Sequence, residues 1–168
     1  MTEIPKKGPA TETKSEAEEE KKADVPFIGC DWYLRSLVTL VNESDLSVAI
    51  TLSVRGTLIS GSLTSGKNYF VGFAQDVLDG LGGEAKVGAE QSAAIHTKFT
   101  APAKFYEKPA EGASAPPPPH YAHLKSAKFY RSGGASAIPE KRVGDGWVRV
   151  RLDSVDAFVL GALDGDKV

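Results

Sequence analysis

One cysteine, three histidines and a near-cancelling charge are what this 168-residue chain offers reactive chemistry, and each shortage removes a class of function. A lone Cys30 excludes an intramolecular disulfide and a cysteine-rich zinc site, and suits a reducing compartment. The 20 Lys and Arg against 22 Asp and Glu create no net field to draw in DNA or anionic lipid. No stretch approaches the roughly 18 apolar residues of a membrane span, and MTEIPKKGPATETKSEAEEEKK has no secretory apolar region, so a cytoplasmic protein with no membrane partner is expected. No G-x-S-x-G, phosphate loop or paired-histidine motif occurs, and Gly80, Gly82 and Gly83 close a helix where a dinucleotide fingerprint would open one. The expectation is a non-enzyme with no catalytic, cofactor-binding or metal site.

Residues 1–26 read as a disordered polyampholyte tail: up to Val25 they hold five Lys and seven Asp or Glu with little apolar surface to offset ordering entropy. From Asp31, an N-cap candidate, Leu34, Leu37, Val38 and Val41 recur at helical spacing, predicting about three turns. Alternation then takes over. Val48, Ile50, Leu52 and Val54 fall on one side of a strand, and a two-residue turn at Arg55-Gly56 would pair Val54 with Thr57, Leu52 with Ile59, Ile50 with Gly61 and Val48 with Leu63. Gly61 in mid-strand predicts a bend or bulge that curls the sheet. Ser65 is a second N-cap candidate, ahead of a helix whose apolar positions are Phe70, Phe73, Val77 and Leu81 beside Tyr69 and Leu78; a weaker helix follows from Glu84 to about Thr97.

Prolines at 102, 109 and 116–119 mark residues 100–119 as a Pro/Ala-rich exposed loop. Strand composition returns at Tyr121 to Tyr130, Trp147 to Leu152 and Phe158 to Leu163, with a long connection over 132–146 and a break at Asp153-Ser154. The sum is an α+β domain over residues 27–163: a small curled antiparallel sheet or Sm-like small barrel of about five strands with two to three packed helices. A short C-terminal tail, 164–168, follows.

His120 and His123 share an H-x-x-H spacing, but residues three apart on a strand face opposite ways, which argues against a shared metal. His123 is expected to pack or hydrogen-bond at the barrel rim, and His120 to be exposed. Cys30 in GCDW neighbours an acid, which disfavours a thiolate nucleophile. Lys125, Lys128, Arg149 and Arg151 form a candidate exposed partner-binding stripe, near Tyr121, Phe129 and Tyr130. Basic and aromatic residues together can hold RNA, yet the balanced charge disfavours nucleic acid and favours a protein partner.

The segments ITLSVRGTLISGSLTS, KNYF, HLKSAKFY and WVRVRLDSVDAFVLG together resemble the gas vesicle accessory protein GvpU family. The carriers are Gly56, Ile59-Ser60-Gly61, Tyr69-Phe70, His123-Leu124-Lys125, and Val155-Asp156 followed by Phe158 and Leu160-Gly161, with Ala157 where the pattern leads one to expect glycine. The resemblance implies a cytoplasmic, non-enzymatic protein associated with gas vesicles, acting on their assembly or clustering through docking and multivalent self-association. Its implied partners are the vesicle shell, other gas vesicle accessory proteins, or further copies of itself. The five short strands after a helix also look like an Sm-like barrel, which leaves an RNA-binding or ring-forming module as the alternative.

Overall fold

The computed structural model describes residues 29–107, 116–131 and 144–163. The expected tails at 1–26 and 164–168, residues 108–115 of the expected Pro/Ala-rich loop, and most of the connection at 132–146 lie outside the described residues.

Helix α1 (Trp32–Ser44) begins where the spacing predicts, because the Asp31 carboxylate accepts from the Tyr33 and Leu34 amides at 2.7 and 3.0 Å. Asp31→Ala should therefore cost about 1 kcal/mol, read as a lower urea midpoint with an unchanged slope. The helix ends at Asp45 in the left-handed region, φ 58°. The Asp45 carboxylate accepts from Ser65 Oγ and Asn68 Nδ2, both at 2.8 Å, and Asn42 Oδ1 accepts from the Gly66 amide at 2.9 Å. The end of one helix is thus fastened to the start of the next.

Strands β1 (Val48–Val54) and β2 (Thr57–Thr64) form the expected hairpin in the expected register. Arg55 and Gly56 at φ 49° and 79° supply the two positive values that a tight hairpin turn requires. Ser65 accepts from the Asn68 amide at 3.2 Å and opens α2 (Gly66–Gly80). The buried positions of α2 are Gly66, Tyr69, Ala74 and Leu78, while Leu81 lies past the helix and is half exposed. The predicted stripe of Phe70, Phe73, Val77 and Leu81 is therefore rotated from the buried line. The reason is that α2 is covered on two sides, by the sheet and by α4. The weak helix over 84–97 forms as α3 (Glu84–Val87) and α4 (Ala89–Thr100), broken at Gly88 with φ 89°.

The expected exposed loop over 100–119 is corrected at its start. Ala101–Tyr106 is a 3-10 helix packed against α2, with Ala103 buried and the Tyr106 and Phe70 rings 5.9 Å apart. Pro102 fits because the first turn of a helix leaves its amides without intrahelical partners, so a missing N–H costs nothing there.

Strands β3 (Tyr121–Arg131), β4 (Val148–Arg151) and β5 (Ala157–Leu160) complete one antiparallel sheet in the order β4-β3-β2-β1-β5. The chain passes from one edge to the other through the short turn Leu152–Ser154. Six Cα steps separate Arg151 from Ala157. With a 3-10 turn among them they reach roughly 16 Å, less than the ~19 Å that five strands would span if flat, so the sheet curls. It does not close: β4 and β5 are not paired, and the five strands form an open sheet, not a barrel. Leu152, almost fully buried, and Val155 fill the space between the edges as core side chains where a closed barrel would have a ladder.

The core occupies one side of the sheet. Leu34, Val38 and Val41 of α1 meet Ile50, Leu52, Ile59, Leu63, Leu124 and Val150.

Candidate functional site

The side of the sheet opposite the core carries the polar alternates, and all four candidate basic residues fall there. The pairings His123 with Arg149, Tyr121 with Arg151, Ser62 with Lys125 and Ser60 with Lys128 define the row. Lys125 and Lys128, three apart, share a side because β3 bulges between them: the register shifts between Ser60 and Ser62, and Ser126 sits at φ 55°.

These cations are not equivalent. Arg149 lies 3.6 Å from the centre of the Tyr121 ring and 5.8 Å from that of Phe70. Lys125 pairs with Asp145 at 3.1 Å and sits 5.5 Å from the Trp147 ring centre. Arg151 is paired with Asp153. Lys128 has no ion-pair partner among the described residues. The stripe is thus a row of cations each fixed against a ring or an acid, except at its Lys128 end.

Behind Arg149 lies His123, which packs as expected but in an aromatic setting that the sequence did not reveal. His123 is fully buried, with ring centres of Tyr69 at 4.7 Å, Tyr106 at 5.3 Å and Phe70 at 5.9 Å, and neither imidazole nitrogen has a hydrogen-bond partner among the described residues. Burial first, and the Arg149 charge second, push its pKa from 6.5 down to about 3. Burial also raises the Tyr69 and Tyr106 hydroxyls, and the nearby Arg149 partly offsets this. His123 is neutral and serves as packing. Trp147 joins the cluster, edge-on to Tyr69 at 6.0 Å, and a Cβ on Gly72 would clash with its ring. α2, the 3-10 helix, β3 and the start of β4 therefore meet in a second, aromatic layer outside the main core. Tyr69-Phe70 was the visible signal; the partners come from segments 30 to 80 residues away.

The histidines do not converge. His120 is exposed, ahead of β3, and lines a cleft of about 330 Å³ with Cys30, Arg35, Tyr121, Arg151 and Asp153, whereas His123 points into the aromatic layer. No group of three or more metal-ligating side chains occurs among the described residues. No helix among them is long and apolar enough to cross a membrane.

The segment after β5 crosses the outer side of the hairpin. Gly161 turns at φ 113°, its carbonyl accepts from Thr51 Oγ1 at 2.9 Å, the Leu163 amide donates to Ser60 Oγ at 2.7 Å, and the Leu163 carbonyl accepts from Tyr130 at 3.1 Å. This strap buries Thr51 and Ser60, which explains two polar residues sealed from water on the polar side of the sheet.

A family described as gas vesicle protein GvpU-like matches residues 31–163. No curated protein and no solved structure matches the chain.

Proposed function

Because the chain belongs to the GvpU-like family of gas vesicle proteins, we propose that it is a non-enzymatic accessory protein that docks on gas vesicles and promotes their assembly or clustering by multivalent self-association. One observation carries this reading: the matched region starts at Asp31, the N-cap of α1, and ends at Leu163, the strap residue bonded to Ser60. The family match is therefore coextensive with the folded unit.

In this reading the sheet and helices are the docking unit, in contact with the vesicle shell or with other gas vesicle proteins. The outer row ending at Lys128 is the surface that meets the partner. The mixed-charge segment 1–26, which precedes the family match, adds weak contacts whose avidity grows when many copies sit on one vesicle. A ring-forming RNA module has less support, since single-strand binding needs open stacking platforms and Tyr121 already carries Arg149.

The full chain is expected to rise with purified buoyant vesicles at low salt and to be released as ionic strength climbs, because exposed charge contacts are screened beyond about 10 Å at 0.1 M salt. Removing residues 1–24 should reduce vesicle clustering without abolishing flotation. A protein that stays in the infranatant while retarding single-stranded RNA in a gel would overturn the vesicle reading.

A further inference from the structure

Both edges of the open sheet end in four-residue strands, and the two edges are chemically unlike. β4 reads Val-Arg-Val-Arg, with a cation at every second position. Such charges are the usual guard against edge-to-edge pairing. β5 reads Ala-Phe-Val-Leu, with no charge, no proline and no bulge; Val159 and Leu160 are 60% and 61% exposed. Beside it, Tyr33 stacks on Phe158 at 6.3 Å and Trp32 packs edge-on to Tyr33 at 5.5 Å, with Trp32 74% exposed.

The backbone pattern says which groups β5 leaves free. The Gly161 amide donates to the Ala49 carbonyl, and the register pairs Val159 with Thr51 and Leu160 with Ile50. In an antiparallel ladder hydrogen-bonded pairs alternate, so Val159 spends its N–H and C=O on β1 while those of Phe158 and Leu160 point away from the sheet.

We propose that this edge binds a second copy of the chain, β5 against β5 in antiparallel register about a two-fold axis at Val159. This deepens the self-association of the proposed function and rests on that reading only for its role on vesicles. The register is self-complementary: Phe158 faces Leu160 of the second copy, so the four outward N–H and C=O groups of each strand meet partners, and Ala157 faces Gly161, where no side chain intrudes. No like charges oppose one another. The same pairing at β4 would set Arg149 against Arg151 of the second copy, and a β4–β5 contact would lay these arginines on an apolar strand. Trp32 and Tyr33 extend the contact from each side.

Sedimentation velocity of the full chain from low to high micromolar concentration should show a monomer–dimer equilibrium. Val159→Lys with Leu160→Lys should keep the chain monomeric with an unchanged circular dichroism spectrum, since both side chains are exposed. The register has its own test. In a Cys30→Ser background, Val159→Cys should crosslink to dimer under mild oxidation, because the facing Cα atoms would lie about 4.5 Å apart; Ala157→Cys, about 14 Å from its counterpart, should not. A wild-type chain that is monomeric throughout, or a dimer that survives the lysine pair and disappears when residues 1–24 are removed, would overturn the proposal. Equal crosslinking at 157 and 159 would overturn the register. Flotation of the lysine variant reads docking separately, so loss of the dimer with retained flotation leaves the vesicle reading intact.

Discussion

Lowering the pH from 7 to 4 is expected to remove about 3 kcal/mol of folding stability through His123 alone. The imidazole is sealed among Tyr69, Phe70 and Tyr106 with Arg149 nearby, and its pKa falls from 6.5 to about 3. As pH drops through 6.5 the unfolded chain takes up a proton that the folded chain refuses. Protons bound to the unfolded state then exceed those bound to the native state, and stability declines with each unit until about pH 3. Well above pH 6.5, where both states hold the imidazole neutral, the group contributes no pH dependence. His123→Leu, close in volume, removes the titration. It should leave stability at pH 7 unchanged or higher, since replacing two buried nitrogens without partners by carbon removes an unmet desolvation cost. Urea titrations of both proteins between pH 7 and 4 decide it: the wild-type curve should fall more steeply, the difference growing to roughly 3 kcal/mol. Parallel curves would mean that the native state accommodates the charged imidazole. Carboxylate titrations are common to both proteins and cancel in the comparison.

That cluster also shows where sequence reasoning stops. Period-two alternation around Arg55-Gly56 was enough to set every pair of the β1–β2 ladder, because a two-residue turn fixes the register and one apolar side fixes the facing. The caps at Asp31 and Ser65 were legible for a similar reason: they are local hydrogen bonds made within three residues. The aromatic layer is different. Tyr69, Tyr106, His123 and Trp147 come from four elements, and no spacing in the chain announces that they meet. Closure was equally out of reach, since it depends on whether two four-residue edges pair, and here Leu152 and Val155 take the space between them. At Ala101–Tyr106, Pro102 counts toward an exposed Pro/Ala-rich loop on composition, whereas its position in the first turn makes it compatible with a helix. The basic row was found by composition, but its facing was not, because Lys125 and Lys128 on a regular strand would diverge.

The residue that brings them together is Gly61, and replacing it should have the second large effect. It lies opposite Ile50 in β2, where a Cβ would stand 2.8 Å from the Lys125 carbonyl oxygen and 3.1 Å from Ala127 Cα. Both are backbone atoms, so relief requires β3 itself to move. β3 is not free to do so, because the Ser126 and Ala127 amides donate to the Asp145 and Gly146 carbonyls at 2.8 and 3.0 Å, and the Gly146 amide donates to the Asp76 carboxylate of α2 at 3.2 Å. Gly61→Ala should therefore destabilise by about 2–3 kcal/mol, at the upper end of overpacking costs, and Gly61→Val by more. Ser126→Gly, which relaxes the left-handed residue of the same bulge without crowding it, should change stability by less than about 1 kcal/mol. If Gly61→Ala instead falls within a few tenths of wild type, β3 can shed its bulge. Lys128 would then turn toward the core side while Lys125 stays outside, and the charge row would lose its Lys128 end. Vesicle flotation of a folded Gly61→Ala chain reads that consequence directly, for a partner held at Lys128 would be released at lower salt than from the wild type.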